Sequence, residues 1–155
     1  LLGAGGAGSA IAHAVLRMGA AALVVVDSDG PRASALAASL NAVYPGARAS
    51  GSTSARDALQ GASGLIHATP TGMDKLPGLP LDATLLRPDL WVSEIVYFPL
   101  ETALLKAARA LGCGISDGGG MAVGQAVRAF ERFTGRPADA ARMDAHFRRL
   151  VAQRR

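Results

Sequence analysis

The chain opens with the stretch Leu1-Leu2-Gly3-Ala4-Gly5-Gly6-Ala7-Gly8, in which three glycines follow the pattern G-x-G-x-x-G. Where such a pattern joins a strand to a helix, the first glycine permits a tight turn and the second lets the backbone approach a pyrophosphate. The third lets the helix pack closely on the strand, and the helix N-terminus offers N–H groups to phosphates. The pattern predicts a βαβ unit that binds a dinucleotide. The residues expected to contact it are Gly3, Gly5, Gly6 and Ala7.

An acidic residue at the end of the next apolar run supports this interpretation. The run Leu23-Val24-Val25-Val26 is followed by Asp27, about 20 residues after Gly8, the spacing at which an acid reaches the ribose 2′-hydroxyl. The glycine pattern alone is weak, because chains rich in glycine and alanine produce it by chance. The apolar lead-in, the helical pattern over residues 9–18 and the acid together favour a dinucleotide site over a purely structural turn.

Strand and helix patterns alternate along the rest of the chain, as a parallel sheet with covering helices requires. Strands are predicted at residues 1–2, 23–27, 48–51, 64–68, 91–96 and 114–116, and helices at 9–18, 31–43, 55–60, 101–111, 121–133 and 137–152. A loop rich in proline and glycine spans 69–80. The prediction is one α/β domain over residues 1–155, a Rossmann-type doubly wound parallel sheet with helices on both faces and strand order 3-2-1-4-5-6.

Composition favours a soluble cytoplasmic protein. Hydrophobic residues make up 50% of the chain, but no apolar run reaches the roughly 18 to 20 residues of a membrane span. No signal-peptide pattern is present at the start. The single cysteine, Cys113, excludes an intramolecular disulfide and fits a reducing compartment. Its neighbours predict a buried turn into a strand rather than a catalytic thiol.

The net charge of +4 and the pI near 10.0 raise the question of nucleic-acid binding. The arginines are scattered over the predicted helices and cluster only near the end, in His146-Phe147-Arg148-Arg149 and Arg154-Arg155. A basic terminal helix is usually a solvated face. We therefore expect neither a nucleic-acid partner nor a membrane partner.

Three further segments resemble the cofactor-domain signatures of the shikimate dehydrogenase family. They are Ala-Thr-Pro-Thr-Gly-Met at 68–73, Val-Tyr-Phe-Pro-Leu-Glu-Thr-Ala-Leu-Leu at 96–105 and Asp-Gly-Gly-Gly-Met-Ala-Val-Gly-Gln-Ala at 117–126. Their order and spacing match the family over nearly the whole chain. The resemblance implies the cofactor-binding domain of a shikimate/quinate dehydrogenase, which transfers hydride between NAD(P) and a ring hydroxyl of a cyclohexane or cyclohexene carboxylate. Shikimate or quinate would be the substrate, in aromatic amino acid biosynthesis.

The end of the second predicted strand distinguishes subgroups of this family. Members that use NADP typically carry an Asn-Arg-Thr/Ser stretch that binds the 2′-phosphate, whereas this chain has Asp27-Ser28-Asp29. A carboxylate accepts hydrogen bonds from ribose hydroxyls and repels a phosphate dianion. We therefore expect NAD rather than NADP, as in the NAD-dependent quinate/shikimate dehydrogenases. The resemblance gives Arg32 a pyrophosphate or adenine-side contact, and the alternative is an exposed residue in the first turn of a helix.

Other site residues are expected where predicted strands end, beside the reversal of strand order at which ligands bind in such sheets. Thr69 and Pro70 begin a stiff loop, in which Gly72 lets the backbone approach a flat ring; the alternative is a plain turn. The resemblance implies that Val96 supports the nicotinamide and that Tyr97 faces the substrate, with ordinary core packing as the alternative.

A second glycine-rich helix entry follows the sixth predicted strand. The resemblance implies that Gly118 and Met121 contact the cofactor there. It also implies that Gln125, one helical turn beyond Met121, donates a hydrogen bond to substrate hydroxyls or accepts one from them. The alternative for Gln125 is an exposed helix residue.

Catalysis requires a further group, because a base must take the hydroxyl proton as hydride leaves. In this family a lysine and an aspartate of an N-terminal substrate domain do this, and neither Lys75 nor Lys106 matches that motif. We predict no catalytic residue and no metal site in this chain, and an upstream catalytic domain as its partner. Only two residues precede Gly3 and no initiator methionine is present, so we expect a chain taken from a longer protein.

Two positions depart from the family pattern. His67 stands where the family usually has asparagine, and near the end of a buried strand we expect it to be a hydrogen-bonded core residue rather than a catalyst. Gly124 stands where relatives often carry a larger side chain, which would widen the substrate pocket and leaves the identity of the acid open. An NADP-linked 3-dehydroshikimate reductase and a non-catalytic nucleotide-sensing module remain alternatives, and a homodimer is also left open.

Overall fold

Strands and helices alternate through most of the chain. The computed structural model describes residues 1–46 and 48–153. Within these residues the strands are β1 (Leu23–Val26), β2 (Ala49–Ser52), β3 (Gly64–His67), β4 (Trp91–Glu94) and β5 (Gly114–Ser116). The helices are α1 (Gly6–Arg17), α2 (Gly30–Val43), α3 (Ala55–Leu59), α4 (Ala103–Ala110), α5 (Gly119–Thr134) and α6 (Ala140–Gln153), with a short 3-10 helix at Ala83–Leu85.

The paired strands of the described residues are all parallel, and the second residue of the chain joins them into one sheet. β1 pairs with β2, and β3, β4 and β5 pair in that order. Leu2 forms parallel bridges to Val26 at the end of β1 and to His67 at the end of β3. The order is therefore β2-β1-Leu2-β3-β4-β5. This confirms the Rossmann-type fold and the predicted order 3-2-1-4-5-6, in which residues 1–2 count as the first strand.

Two apolar clusters cover opposite faces of the sheet. Neighbouring residues of β3 enter different clusters, Leu65 the first and Ile66 the second, as the alternation of side chains along a strand requires. The first cluster includes residues of β4, α3 and α4, and the second includes residues of β1, α1 and α2. Burial on both faces explains the continuous apolar runs that mark the strands in the sequence.

Several helices and strands begin or end at different residues from those predicted, each for a local reason. α1 begins at Gly6 rather than at residue 9, because the glycine turn passes directly into the helix. β4 ends at Glu94 rather than at residue 96, since the Glu94 carboxylate accepts the Val96 N–H at 2.9 Å. α4 begins at Ala103 rather than at residue 101, because the Thr102 side chain caps it.

Short acidic side chains also accept backbone N–H groups at the starts of the last two helices. α5 begins at Gly119 rather than at residue 121, where Asp117 Oδ1 accepts the Gly119 N–H at 2.9 Å. α6 begins at Ala140 rather than at residue 137, after Asp139 Oδ1, which accepts the Arg142 N–H at 2.9 Å. Short polar side chains that accept such bonds mark helix starts. The remaining predicted bounds agree with the structure to within one residue.

The basic segment near the end of the chain is partly neutralised by acids. Arg148 pairs with Asp144 at 2.9 Å and with Asp117 at 3.1 Å, and hydrogen bonds to these two carboxylates raise the pKa of Arg148. The Arg154-Arg155 pair of the predicted basic cluster lies outside the described residues. Over residues 1–46 and 48–153, no helix combines the length and apolar character that a membrane crossing needs.

Candidate cofactor-binding site

The glycine turn before α1 admits no side chain at its first and third glycines. Gly3 has a φ of +100°, and a Cβ atom built on it would lie 2.6 Å from the Ala68 carbonyl oxygen. A Cβ atom on Gly8 would lie 1.9 Å from the Gly3 carbonyl oxygen. Both contacts are to backbone atoms and are far inside van der Waals distance, so the packing of α1 against the sheet depends on glycine at both positions.

The middle of the turn is open. No heavy atom lies within 4 Å of a Cβ atom built on Gly5 or Gly6, and residues 5–7 are exposed. Gly5 is the N-cap of α1, and no side chain caps the helix there. The N–H groups of a first helical turn have no partner within the helix and carry a partial positive charge. The turn therefore has the space and the donors that a phosphate group needs.

Asp27 is fixed beside this turn. Its Oδ2 atom accepts the Ala4 N–H at 2.7 Å and its Oδ1 atom accepts the Asp29 N–H at 3.0 Å. These two hydrogen bonds, that from Asp29 first, lower the pKa of the Asp27 carboxyl below its ordinary value of 3.8. The group is therefore an anion near neutral pH, and it lies at the carboxyl end of β1, next to the open glycines.

Arg32 lies at the outer side of this carboxylate. Its guanidinium is 3.2 Å from Asp29 Oδ2 and 3.8 Å from Asp27 Oδ1, and 56% of its side chain is exposed. It stands in the first turn of α2, which Asp29 caps by accepting the Arg32 N–H. This position matches the alternative given for Arg32, an exposed residue in the first turn of a helix. The same guanidinium also brings a positive charge to the rim of the site.

The loop that begins at Thr69 lies against the glycine turn. Ala68 donates its N–H to the Leu2 carbonyl at 2.7 Å, and the Thr69 methyl group lies 3.2 Å from the Cβ position of Gly3. Within the loop, Thr69 Oγ1 accepts the Thr71 N–H at 3.3 Å. Pro70 is exposed at the surface of the loop. Thr69 and Pro70 are therefore close to the glycine turn, as the sheet order predicts.

Val96 and Gly118 also meet at the carboxyl edge of the sheet. Val96 is buried, and a Cβ atom on Gly118 would lie 2.4 Å from the Val96 carbonyl oxygen. The turn into α5 therefore packs directly on the backbone at Val96. Met121, in the first part of α5, is half-buried.

The two predicted substrate residues differ from the others in their surroundings. Tyr97 and Gln125 are both exposed, and Tyr97 has 48% of its surface accessible. Among the described residues, no hydrogen bond to the side chain of Tyr97 or Gln125 is found. The structure thus groups the glycine turn, Asp27, Thr69, Val96 and Gly118 at one edge and leaves these two side chains at the surface.

Comparison with known proteins gives a consistent family assignment. A family model described as the Shikimate 5'-dehydrogenase C-terminal domain matches residues 118–146. The shikimate dehydrogenase (NADP(+)) of Streptomyces avermitilis is 55% identical over 152 residues, which cover 97% of this chain and 52% of that protein. The quinate/shikimate dehydrogenase (NAD(+)) of Corynebacterium glutamicum strain R is 46% identical over 149 residues, which cover 94% of this chain and 52% of that protein.

A solved structure agrees with these sequence matches. The quinate dehydrogenase from Corynebacterium glutamicum in complex with NAD superimposes with a TM-score of 0.86 at 44% identity, covering 94% of this chain and 52% of that chain. Over nearly its whole length the chain is similar to members of the shikimate/quinate dehydrogenase family. It spans about half the length of the curated relatives that it matches.

One group at this edge is unusual for the family pattern and was not fully predicted. His67 is completely buried, and its Nδ1 atom lies 2.8 Å from Glu94 Oε1. The expected hydrogen-bonded core histidine is therefore present, but its partner Glu94 and the buried Thr102 were missed. The available signal was the acid inside the apolar run 91–96 of the sequence, since an acid enters a buried strand only with partners.

Among the residues that the structure describes, no group of three or more His, Cys, Asp and Glu side chains is arranged to hold a metal ion. Cys113 is buried just before β5, in the turn predicted from the sequence, and its thiol lies 3.1 Å from the Arg87 carbonyl oxygen. A buried thiol held in this way is a structural residue.

Proposed function

We propose that this chain is the NAD(P)-binding domain of a dehydrogenase that acts on shikimate or quinate, and that it prefers NAD. The observation that carries the proposal is the open centre of the glycine turn. Space at Gly5 and Gly6, an uncapped helix N-terminus and the Asp27 carboxylate occur together at the carboxyl edge of the sheet. A dinucleotide has a pyrophosphate that such N–H donors bind and a ribose diol that such a carboxylate binds.

Each part of the edge has a distinct role in this proposal. The N–H groups of Gly5, Gly6 and Ala7 would donate to the pyrophosphate, with the turn held in shape by Gly3. Asp27 would accept hydrogen bonds from the adenosine ribose. The groups assigned to the nicotinamide end, which supplies the hydride acceptor when the cofactor is bound, are Thr69, Pro70, Val96, Gly118 and Met121.

The residues of this chain account for binding and orientation but not for proton transfer. Oxidation of the hydroxyl needs a base within hydrogen-bond reach of the substrate. Lys75 and Lys106 are both exposed, the first in the loop after β3 and the second on α4. We therefore assign the base to the part of the protein that lies outside this chain. Tyr97 and Gln125 would face the substrate across the cleft between that part and this domain.

The choice of NAD rests on the charge of Asp27. Its lowered pKa keeps the carboxylate ionised, so the 2′-phosphate of NADP would enter next to a fixed negative charge. Arg32 opposes this effect, because its guanidinium is 3.8 Å from the same carboxylate. The named relatives use either cofactor, with NADP in the Streptomyces avermitilis enzyme and NAD in the Corynebacterium glutamicum enzyme. We place the protein in the cytoplasm, where the buried, unpaired Cys113 is stable.

A dehydrogenase assay of the complete protein tests the proposal. Absorbance of the reduced nicotinamide is followed with shikimate and with quinate, each with NAD and with NADP. We expect turnover of at least one acid with a higher kcat/KM for NAD. Cofactor binding without turnover of either acid would contradict the proposed reaction and favour a nucleotide sensor. Absence of cofactor binding would contradict the proposal as a whole.

A further inference from the structure

A chain of buried hydrogen bonds lies directly beneath the nicotinamide side of the proposed site. His67 ends β3 and Glu94 ends the neighbouring strand β4, and neither side chain has any exposed surface. His67 Nδ1 is 2.8 Å and 3.0 Å from the two carboxylate oxygens of Glu94, and His67 Nε2 contacts Thr69 Oγ1. Over residues 1–46 and 48–153, no buried side-chain nitrogen or oxygen lacks a partner.

The partners of each group determine the direction of these hydrogen bonds. The Glu94 carboxylate accepts the Val96 N–H at 2.9 Å and the Thr102 hydroxyl at 3.0 Å, and a carboxylate accepts from His67 Nδ1 as a third donor. A neutral imidazole that donates through Nδ1 accepts through Nε2. The Thr69 hydroxyl then donates to His67, while its oxygen accepts the Thr71 N–H. In this arrangement every member of the network has a hydrogen-bond partner.

The network connects two segments of the proposed site to one helix of the core. Through Thr69 it fixes the start of the loop that contacts the glycine turn. Through Glu94 it fixes the backbone at Val96, on which the turn at Gly118 packs. Thr102, the N-cap of α4, connects the Thr69 loop and the Val96 backbone to a helix of the core. Fully satisfied buried networks rigidify the segments that they join.

We infer that His67 is a positioning residue for the nicotinamide end of the cofactor. This inference rests on the proposed function and adds to it. The imidazole spans the gap between Glu94 and Thr69, so it holds the Thr69 loop and the Val96 backbone at a fixed separation. The loop is thereby preorganised, and less of the binding free energy is used to order it. His67 itself stays buried and touches neither cofactor nor substrate.

The two ring nitrogens of His67 make different contacts, so one variant can keep the bond to Glu94 and remove the bond to Thr69. In His67→Asn the side-chain amide nitrogen takes the place of Nδ1 and still donates to Glu94, whereas nothing remains at the place of Nε2. The buried carboxylate keeps its third donor, so the fold is retained. Thr69→Val removes the same hydrogen bond from its other end, together with the 3.3 Å bond from the Thr71 N–H. The control is Arg87→Met, which removes bonds of 2.9 Å and 2.8 Å to the Leu59 and Ala62 carbonyls at the opposite edge of the sheet.

The experiment measures kcat, the KM of each substrate and the midpoint of thermal unfolding for the complete wild-type protein, the three variants and the double variant. Loss of one hydrogen bond corresponds to a change of about two- to tenfold. We expect His67→Asn and Thr69→Val each to raise the KM of the cofactor by about this factor and to leave the KM of the acid within about twofold. The double variant should show no further rise over Thr69→Val alone, because Thr69→Val already removes the bond that His67→Asn removes. Arg87→Met should lower only the unfolding midpoint.

The inference is overturned if His67→Asn behaves like Arg87→Met, with a lower unfolding midpoint and an unchanged KM for the cofactor, or if the two site variants are additive. A wild-type protein without cofactor binding would instead contradict the proposed function. A measurement without any variant covers the case that His67→Asn does not fold. In protein labelled with ¹⁵N-histidine, NAD should shift the Nε2 resonance of His67 while Nδ1 stays protonated. An Nε2 resonance that does not respond to saturating NAD would also overturn the inference.

Discussion

The substitution Gly5→Ala should weaken cofactor binding without a large change in the free energy of unfolding. Gly5 has φ −75° and ψ −170°, a conformation that alanine adopts without strain. No heavy atom lies within 4 Å of the added Cβ position. The loss of chain entropy in the unfolded state favours Gly5→Ala by about 0.4–1 kcal/mol, and the weaker N-cap preference of alanine offsets a similar amount. The free energy of unfolding should therefore change by less than about 0.5 kcal/mol.

The effect on binding should be much larger, because the open space is the proposed position of the pyrophosphate. A methylene forced into a well-packed contact costs about 1–3 kcal/mol. At 1.4 kcal/mol for each factor of ten, the Kd for NAD should rise about 5- to 150-fold. The N–H groups of the turn remain present in the variant. The predicted loss is thus steric and does not depend on removal of a donor.

Calorimetric titration of the complete protein with NAD, together with thermal unfolding, measures both quantities. Gly124→Ala is the matched control, since Gly124 lies in the exposed part of α5 and its Cβ position is also open. Gly124→Ala removes a helix-interior glycine, so it should raise the free energy of unfolding by roughly 1 kcal/mol and leave the Kd for NAD unchanged. An unchanged Kd in Gly5→Ala would refute the placement of the pyrophosphate at this turn.

Three further predictions concern the remaining parts of the site. Asp27→Ala should reduce the preference for NAD over NADP, measured by calorimetric titration with both cofactors; equal affinities in the wild type would contradict the role given to Asp27. Gln125→Ala should weaken the use of shikimate or quinate by about 0.5–3 kcal/mol in kcat/KM and leave the Kd for NAD unchanged; unaltered steady-state kinetics would make Gln125 an exposed helix residue only. The 155-residue chain by itself should show no change in NADH absorbance with either acid and NAD; a rate like that of the complete protein would require a base within the chain, to be sought among His67, Tyr97 and Lys75.

Topology was the part of the fold that the sequence determined best. Runs such as Leu23–Val26 are continuous because both of their faces are buried, and the alternation of strands and helices after the glycine motif predicted the doubly wound sheet order. Helix starts were less predictable. α1 begins directly at the uncapped glycine turn, and α4, α5 and α6 begin where a nearby side chain such as Thr102 accepts a backbone N–H. Both kinds of start depend on local geometry rather than on periodicity.

In the candidate site, too, some features could be predicted from the sequence and others could not. The shape of the glycine turn could be predicted from spacing, because the close contact between Gly8 and the Gly3 carbonyl lies within one βαβ unit. The pairing of His67 with Glu94 could not be found in this way. The two residues are far apart in the chain and come together only through the parallel register of β3 and β4, which places them side by side. Contacts set by register need the sheet order before they can be predicted.

Binding of a dinucleotide across the glycine turn can be followed residue by residue in a nuclear magnetic resonance titration of ¹⁵N-labelled protein with NAD. We expect the backbone amide resonances of Gly5, Gly6 and Ala7 to shift on addition of NAD, together with those of Asp27 and Thr69. The amide resonances of α6 should not shift. Shifts confined to α6 at saturating NAD, with unchanged amide resonances in the glycine turn, would contradict the proposed binding site.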